Sequence, residues 1–310
     1  MQEKIETNSQ LLFIGQLKGL VRTMRPKQWV PKNGIVFASL ILSERGLLVQ
    51  PDAILRATTA FVIFVLISSV AYILNDLMDI EKDRNHPTKR KRPLPSGQLS
   101  PSTARVALLA LLLLALSSAF NVSLLFGTVV SLYFINNIAY NFTLKSMVIL
   151  DVFSIAAGFV LRALGGALAV EVEISPWLYL LTVLLALFLG ISKRRHELLL
   201  LKEGRGAFRK VLTQYKERML EEMLSVVTAS TVIAYSIYTF SAKSMPDNHA
   251  MMLTIPFVIY GIFRYLYLVH SGEDAPPDEM LMKDRPMLIT IVLWVITVLI
   301  ILYGFGNRMA

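Results

Sequence analysis

Residues 61–97 read FVIFVLISSVAYILNDLMDIEKDRNHPTKRKRPLPSG, and the junction inside this stretch decides the fold. An apolar run, 61–74, ends at Asn75 and Asp76; Asp79 and Asp83 follow, and then Lys89, Arg90, Lys91 and Arg92. The run has the character of a membrane helix, which needs roughly 20 apolar residues to cross the hydrocarbon core. If the helix continues, positions 76, 79 and 83 are i, i+3 and i+7 and share one face. Three carboxylates that close repel one another unless a cation sits between them. A solvated acidic helix end, paired with Lys82 and Arg84, is the plain alternative. Asn-Asp at the rim of a span, with two further acids in phase, favours a metal, and Asn75 adds a carbonyl oxygen.

The rest of the chain agrees with a membrane setting. Its 310 residues are 55% hydrophobic and 17% charged, against about 25% charged in soluble domains. Cysteine is absent and the four histidines lack paired spacing, so thiolate and zinc chemistry are not expected. A bound metal should be a hard cation held by oxygen, which suits Mg²⁺. The first apolar patch, LLFIG at 11–15, is too short for a signal h-region, and no cleaved signal is expected.

Hydropathy predicts an all-α polytopic protein with about nine spans, near 33–49, 52–79, 101–120, 123–142, 148–170, 176–200, 220–243, 250–270 and 286–305. Residues 1–32 form a cytoplasmic or interfacial segment, and 33–310 a single helical membrane domain. Leu17, Leu20, Val21 and Met24 share a face opposite Lys18, Arg22 and Arg25, the pattern of a helix lying on the membrane. Of the 31 lysines and arginines, only Arg45, Arg56, Lys243 and Arg308 fall on the sparse side, and Arg162 and Arg264 fall within spans. The positive-inside rule then makes the rich side cytoplasmic, with the N-terminus inside. This basic excess is topological, and no nucleic-acid partner is expected.

Further polar clusters fall on the same side. MRPKQWVPKN (24–33) supplies Lys27, Gln28 and Lys32; YNFTLKSMVILD (140–151) supplies Tyr140, Lys145 and Asp151; SKRRHEL (192–198) supplies Lys193, Arg194, Arg195 and Glu197. Lys89–Arg92 serves topology, phosphate binding, or both. Arg162, deep in a span, points to a polar interior, whereas Arg264 is close enough to the rim to snorkel. Polar residues at the ends of several helices suit an enzyme that joins a water-soluble polyphosphate to a lipid. A transporter would place its polar groups near mid-membrane and on both faces.

NDLMDIEKD (75–83) resembles the NDxxDxxxD motif of the UbiA superfamily of intramembrane prenyltransferases. Its continuation, DRNHPTKRKRPLPSG, is similar to the extension found in the decaprenyl-phosphate phosphoribosyltransferase branch. RPKQWVPKN (25–33), AAGFVLRALGGALAVEVEISPWL (156–178), ALFLGISKRRHEL (186–198), IPFVIYGIFRYLYLV (255–269) and DRPMLIT (284–290) extend the resemblance over nearly the whole chain. Two departures stand out. Other members carry a second aspartate-rich motif after span six, where this chain has Ser192-Lys193-Arg194-Arg195-His196-Glu197; and Pro31 interrupts the expected W-x-K-N pattern.

The resemblance implies transfer of a phosphoribosyl group from 5-phosphoribosyl 1-diphosphate to a polyprenyl phosphate in a bacterial-type plasma membrane. Asp76, Asp79 and Asp83, with Asn75, would hold Mg²⁺ on the donor diphosphate. Lys27, Gln28, Lys32, Arg84, Lys89, Arg92, Lys145, Arg162, Lys193, Arg194, Arg195 and Glu197 would contact substrate, with Tyr140 and Asp151 positioning. The runner-up is prenyl transfer from a polyprenyl diphosphate to an aromatic acceptor. Association of identical subunits is left open.

Overall fold

A Ser or Asp just ahead of an apolar run, with proline in the first turn, recurs along this chain and starts its helices. In the computed structural model, which describes residues 14–42, 47–86, 88–173, 175–204, 210–242, 245–246, 248–271 and 283–304, Ser100, Ser175 and Asp284 accept from the amides of Thr103, Leu178 and Met287. Each cap satisfies a donor that the helix cannot, a contribution of about 1 kcal/mol. Proline fits there because its missing N–H would have no partner.

We number the helices α1 (14–23), α2 (Trp29–Asn33), α3 (Ala38–Leu42), α4 (Pro51–Met78), α5 (Ile80–Arg84), α6 (Pro101–Val122), α7 (Leu124–Phe142), α8 (Leu150–Ala169), α9 (Pro176–Lys202), α10 (Glu217–Ser241), α11 (Ile255–His270) and α12 (Arg285–Leu299). There is no strand among the described residues. Among the described residues, seven helical segments are long and apolar enough to cross a membrane, those beginning at Pro51, Pro101, Leu150, Pro176, Glu217, Ala250 and Arg285. The chain is an integral membrane protein.

Two of the nine expected spans read differently. α7 is 19 residues long and packs between α6 and α8, but Asn136, Asn137 and Asn141 lower its hydropathy. The first expected span is broken into α2, a 3-10 turn at Gly34–Phe37 and α3. Pro31 withholds a backbone donor, and the chain lies against α8 so closely that a Cβ on Gly166 would collide with the Val36 carbonyl. Residues 1–13, 43–46, 205–209 and 272–282, and with them Arg45, fall outside the described residues, as do Lys243 and Arg308.

In lipid no hydrophobic force drives helices together, so close packing through small residues and polar contacts matters more. α4 buries Ala53, Ala57, Ala60, Ser68, Ser69 and Ala71, and α8 buries Gly158, Ala163, Gly165, Gly166 and Ala167. Phe64 of α4 rests where a side chain on Gly165 would lie and meets Tyr133 edge-on at 5.7 Å. Large apolar residues such as Val106, Leu109 and Leu113 remain exposed, as a lipid-facing surface requires. Consecutive helices from α6 to α10 pack on one another, α4 packs on α6, α7 and α8, and α11 packs on α10 and α12. This up-and-down order gathers the C-terminal ends of α4, α7, α9 and α11 and the N-terminal ends of α6, α8, α10 and α12 at one end. The clusters around Asp76 and Asp151 lie there, while Arg56 pairs with Asp52 and Glu171 at the other end.

Candidate active site

α4 carries the acids, and it does not run on through them. It stops at Met78, Asp79 adopts φ −97°, ψ 9°, and the short α5 begins at Ile80. The expectation that Asp76, Asp79 and Asp83 share one continuous helical face is therefore corrected. Asp79 stands at the break and is half-buried, while Asp76 and Asp83 are both buried. These two are joined by one guanidinium: Arg92 Nη1 lies 3.3 Å from Asp76 Oδ1 and 2.6 Å from Asp83 Oδ2. Arg25 Nη2 donates to the same Asp76 oxygen at 2.7 Å. Lys89 Nζ stands 3.9 Å from Asp83 Oδ1.

Among the described residues, no three acids or histidines converge tightly enough to cage a metal by themselves. Mg²⁺ rarely asks for that, since it usually takes one or two carboxylates and fills its remaining positions with water and substrate phosphate. Two buried carboxylates already sharing a positive charge are a fitting donor set. The cations are poised to move: the side chains of Arg25 and Arg92 are 25% and 31% exposed. Between them opens a cavity of about 230 Å³.

Tyr72, one turn before Asp76, was not singled out by sequence. The Arg25 guanidinium lies 4.7 Å and Lys32 Nζ 5.3 Å from its ring centroid, and the charges of Arg162 and Lys193 act on its hydroxyl. The available signal was its i−4 spacing from Asp76. Arg25, read only as the polar side of α1, is likewise part of the site. It sits at φ 57°, ψ 62°, a left-handed conformation that ends α1 and turns the guanidinium toward Asp76. Lys27 is exposed and Gln28 half-buried in the following turn, with Gln28 Oε1 lacking a hydrogen-bond partner. Arg84 points away and pairs with Glu81 at 2.7 Å; that is the surface pairing of the plain alternative.

Arg162 is buried in the bundle as expected. Its Nε donates to Asn33 Oδ1 at 2.8 Å, Nη1 to the Gly158 carbonyl at 2.9 Å and Nη2 to Tyr133 Oη at 2.5 Å. It thereby ties the broken α2 to α7 and α8. Arg264 does not snorkel alone: it grips Asp284 with Nε and Nη2, at 3.1 and 2.7 Å.

A second carboxylate–arginine cluster lies at the same end of the bundle. Arg194 donates from Nε to Asp151 Oδ2 at 2.6 Å, from Nη1 to Glu197 Oε2, and from Nη2 to Tyr140 Oη at 3.3 Å. Tyr215 donates to Asp151 Oδ1 at 2.7 Å and accepts from the Ile149 amide at 2.7 Å. Ile149 sits at φ 70°, a strained backbone for a β-branched residue, at a cost of about 1–3 kcal/mol, that persists only where its surroundings over-determine it. Burial, then the bond to Asp151, pushes the Tyr215 hydroxyl well above its ordinary pKa, so it remains a donor. Arg194 is 1% exposed. Arg195 is turned to Glu221, with Nη2 3.0 Å from Oε1. Lys193 and Lys145 are half-buried, and neither forms an ion pair among the described residues.

The chain is 30% identical over 290 residues to the decaprenyl-phosphate phosphoribosyltransferase of Corynebacterium glutamicum, covering 92% of this chain and 87% of that one. It is 29% identical over 282 residues to the Mycobacterium tuberculosis protein of the same name, covering 90% and 93%. Among solved structures, a UbiA homolog from Archaeoglobus fulgidus bound to GPP and Mg²⁺ superposes with a TM-score of 0.68 at 18% identity, over 92% of this chain and 99% of that one. A profile of the UbiA prenyltransferase family matches residues 35–292, and this chain belongs to that family.

Proposed function

We propose that this protein is a glycosyltransferase that moves a 5-phosphoribosyl group from 5-phosphoribosyl 1-diphosphate to a polyprenyl phosphate, releasing diphosphate. The observation that carries it is the near full-length match to relatives named for decaprenyl-phosphate phosphoribosyl transfer. In this reading the active end faces the cytoplasm and the N-terminus lies inside, as the distribution of Lys and Arg supports.

Asp76 and Asp83, with Asp79 and Asn75 at the helix break, would hold Mg²⁺. When bound, the ion neutralises charge that builds on the departing diphosphate. Arg25 and Arg92 hold the two carboxylates in place, and their partly exposed ends can follow the donor phosphates. Lys32, over the Tyr72 ring, and Lys193 attract the acceptor phosphate. One of its oxygens attacks C1 of the ribose as the C1–O bond to diphosphate breaks. That oxygen is already anionic at neutral pH, so no general base is required. Arg194 and Arg195 become positioning residues: their donors serve Asp151, Glu197, Tyr140 and Glu221, which leaves direct phosphate contact to Lys193 and Lys145.

The family name supports a second reading, prenyl transfer from a polyprenyl diphosphate to an aromatic acceptor. Bases in place of a second acidic motif at 192–197 argue against it. The two readings separate when purified protein receives ribose-labelled donor, polyprenyl monophosphate and Mg²⁺. Phosphoribosyl transfer carries the label into the lipid phase; label that stays in the aqueous phase contradicts it.

A further inference from the structure

The cavity beside Asp76 is lined by four cations, Arg22, Arg25, Lys91 and Arg92, together with Thr88 and a single acid, Asp76 itself. Among the described residues, neither Arg22 nor Lys91 forms an ion pair. Asp76 Oδ1 is already shared by Arg25 and Arg92. The charges around this space therefore do not cancel. Like charges drawn together repel unless an anion lies between them, and a concave basic wall concentrates anions from solution.

The arrangement is held by packing. Leu20 of α1 and Met24 just after it pack with the buried Leu94 and Leu99 beyond the basic loop and with Ile73 of α4. Gly19 approaches so closely that a Cβ there would lie 3.2 Å from that of Leu99, and the Ser100 amide donates to Gln16 Oε1 at 2.8 Å. These contacts seat Arg22 and Arg25 opposite Lys91 and Arg92. A volume of about 230 Å³ is far beyond the roughly 15 Å³ that admits one water.

We propose that this cavity, between α1 and the 88–93 loop, is a binding site for a phosphate monoester. Resting on the function proposed above, the monoester is the 5-phosphate of the ribosyl donor, held by Arg22 and Lys91 while its diphosphate lies at Asp76 and Asp83. These contacts would separate a phosphoribosyl donor from a prenyl diphosphate, which has no second phosphate to offer. The other source of the same chemistry is the headgroup of an anionic lipid, because α1 exposes Ile14, Leu17 and Val21.

The test uses full-length protein in detergent, with ribose 5-phosphate as probe and calorimetry as readout. The Arg22→Gln/Lys91→Gln double variant alters two exposed side chains and should keep the wild-type unfolding temperature. It should weaken ribose 5-phosphate binding at least about tenfold, leave Mg²⁺-dependent pyrophosphate binding within about twofold, and raise the donor KM with little change in kcat. Arg22→Lys should restore most of the affinity. Unchanged ribose 5-phosphate affinity overturns the proposal, and so does an equal loss for pyrophosphate. In a parallel arm with phosphatidylglycerol and phosphatidylcholine vesicles, loss of preference for phosphatidylglycerol with no change in ribose 5-phosphate affinity assigns the cavity to lipid and also overturns it. Direct binding keeps this test apart from the proposed reaction: absence of turnover in wild type contradicts the reaction, whatever the calorimetry shows.

Discussion

Two carboxylate–arginine clusters lie at the same end of this bundle, and they differ in almost every respect that decides what such a cluster can do. Around Asp151 and Arg194 the charges are sealed, each Arg194 nitrogen has an acceptor, and the network holds a strained Ile149 backbone. Around Asp76 and Asp83 the acids are buried, but their arginines are about a quarter to a third exposed and share acceptors beside a cavity. A sealed, saturated ion pair has nothing to give a substrate. An arginine that shares its acceptor and reaches solvent can exchange partners when a better anion arrives. Local composition does not reveal this difference, since both stretches place several basic residues beside acids.

The largest expected effect falls on the open cluster. Asp76→Asn should lower turnover about a thousandfold, some 4 kcal/mol of transition-state stabilisation, while unfolding temperature in detergent shifts little, because Arg25 and Arg92 can turn to water. Next comes the sealed cluster. Arg194→Gln strands a buried carboxylate and should destabilise by about 3–5 kcal/mol, read as a fall in unfolding temperature. A stable, inactive Arg194→Gln protein would erase the contrast and move Arg194 into substrate contact.

Smaller effects sharpen the picture. Gly166→Ala forces the broken α2–α3 segment off α8 and should cost about 1–3 kcal/mol, loosening the Arg162–Asn33 tie. Arg84→Ala removes only a surface pair and should change stability by less than about 0.5 kcal/mol and leave turnover unchanged. The smallest effect concerns Asp284, whose carboxyl the Arg264 hydrogen bond holds below the usual carboxylate range. Its contribution is therefore present above the unfolded pKa, near 4, and lost as pH falls through the folded value. Unfolding temperatures of wild type and Asp284→Asn should converge below about pH 4.

How far the sequence could be read follows from how local each feature is. The long apolar helices and the grouping of acids at the end of α4 were legible, because hydropathy and local composition are properties of one segment. The continuous helix expected through Asp76, Asp79 and Asp83 failed because periodicity gives no sign of the break after Met78. The interrupted first span was half visible in Pro31 and Gly34, but its seat against Gly166 is a contact between distant segments. Arg194 and Arg195 show the limit most clearly. Their charge is written in the sequence, whereas their saturation depends on Asp151, 43 residues away, and on Glu221, 26 residues away. Tyr215 carried no sequence signal, since it acts only by meeting Asp151 from a loop 64 residues on.

The central claim is that phosphoribosyl transfer occurs at the open cluster and that the sealed cluster supports it. The most direct measurement is the rate at which ribose label enters polyprenyl phosphate, taken for wild type, Asp76→Asn and Asp83→Asn at matched folded fraction and saturating Mg²⁺. The account predicts rapid labelling by wild type and a loss of about two to three orders of magnitude in both variants, with unfolding temperatures preserved. Labelling by either variant at close to the wild-type rate would contradict it.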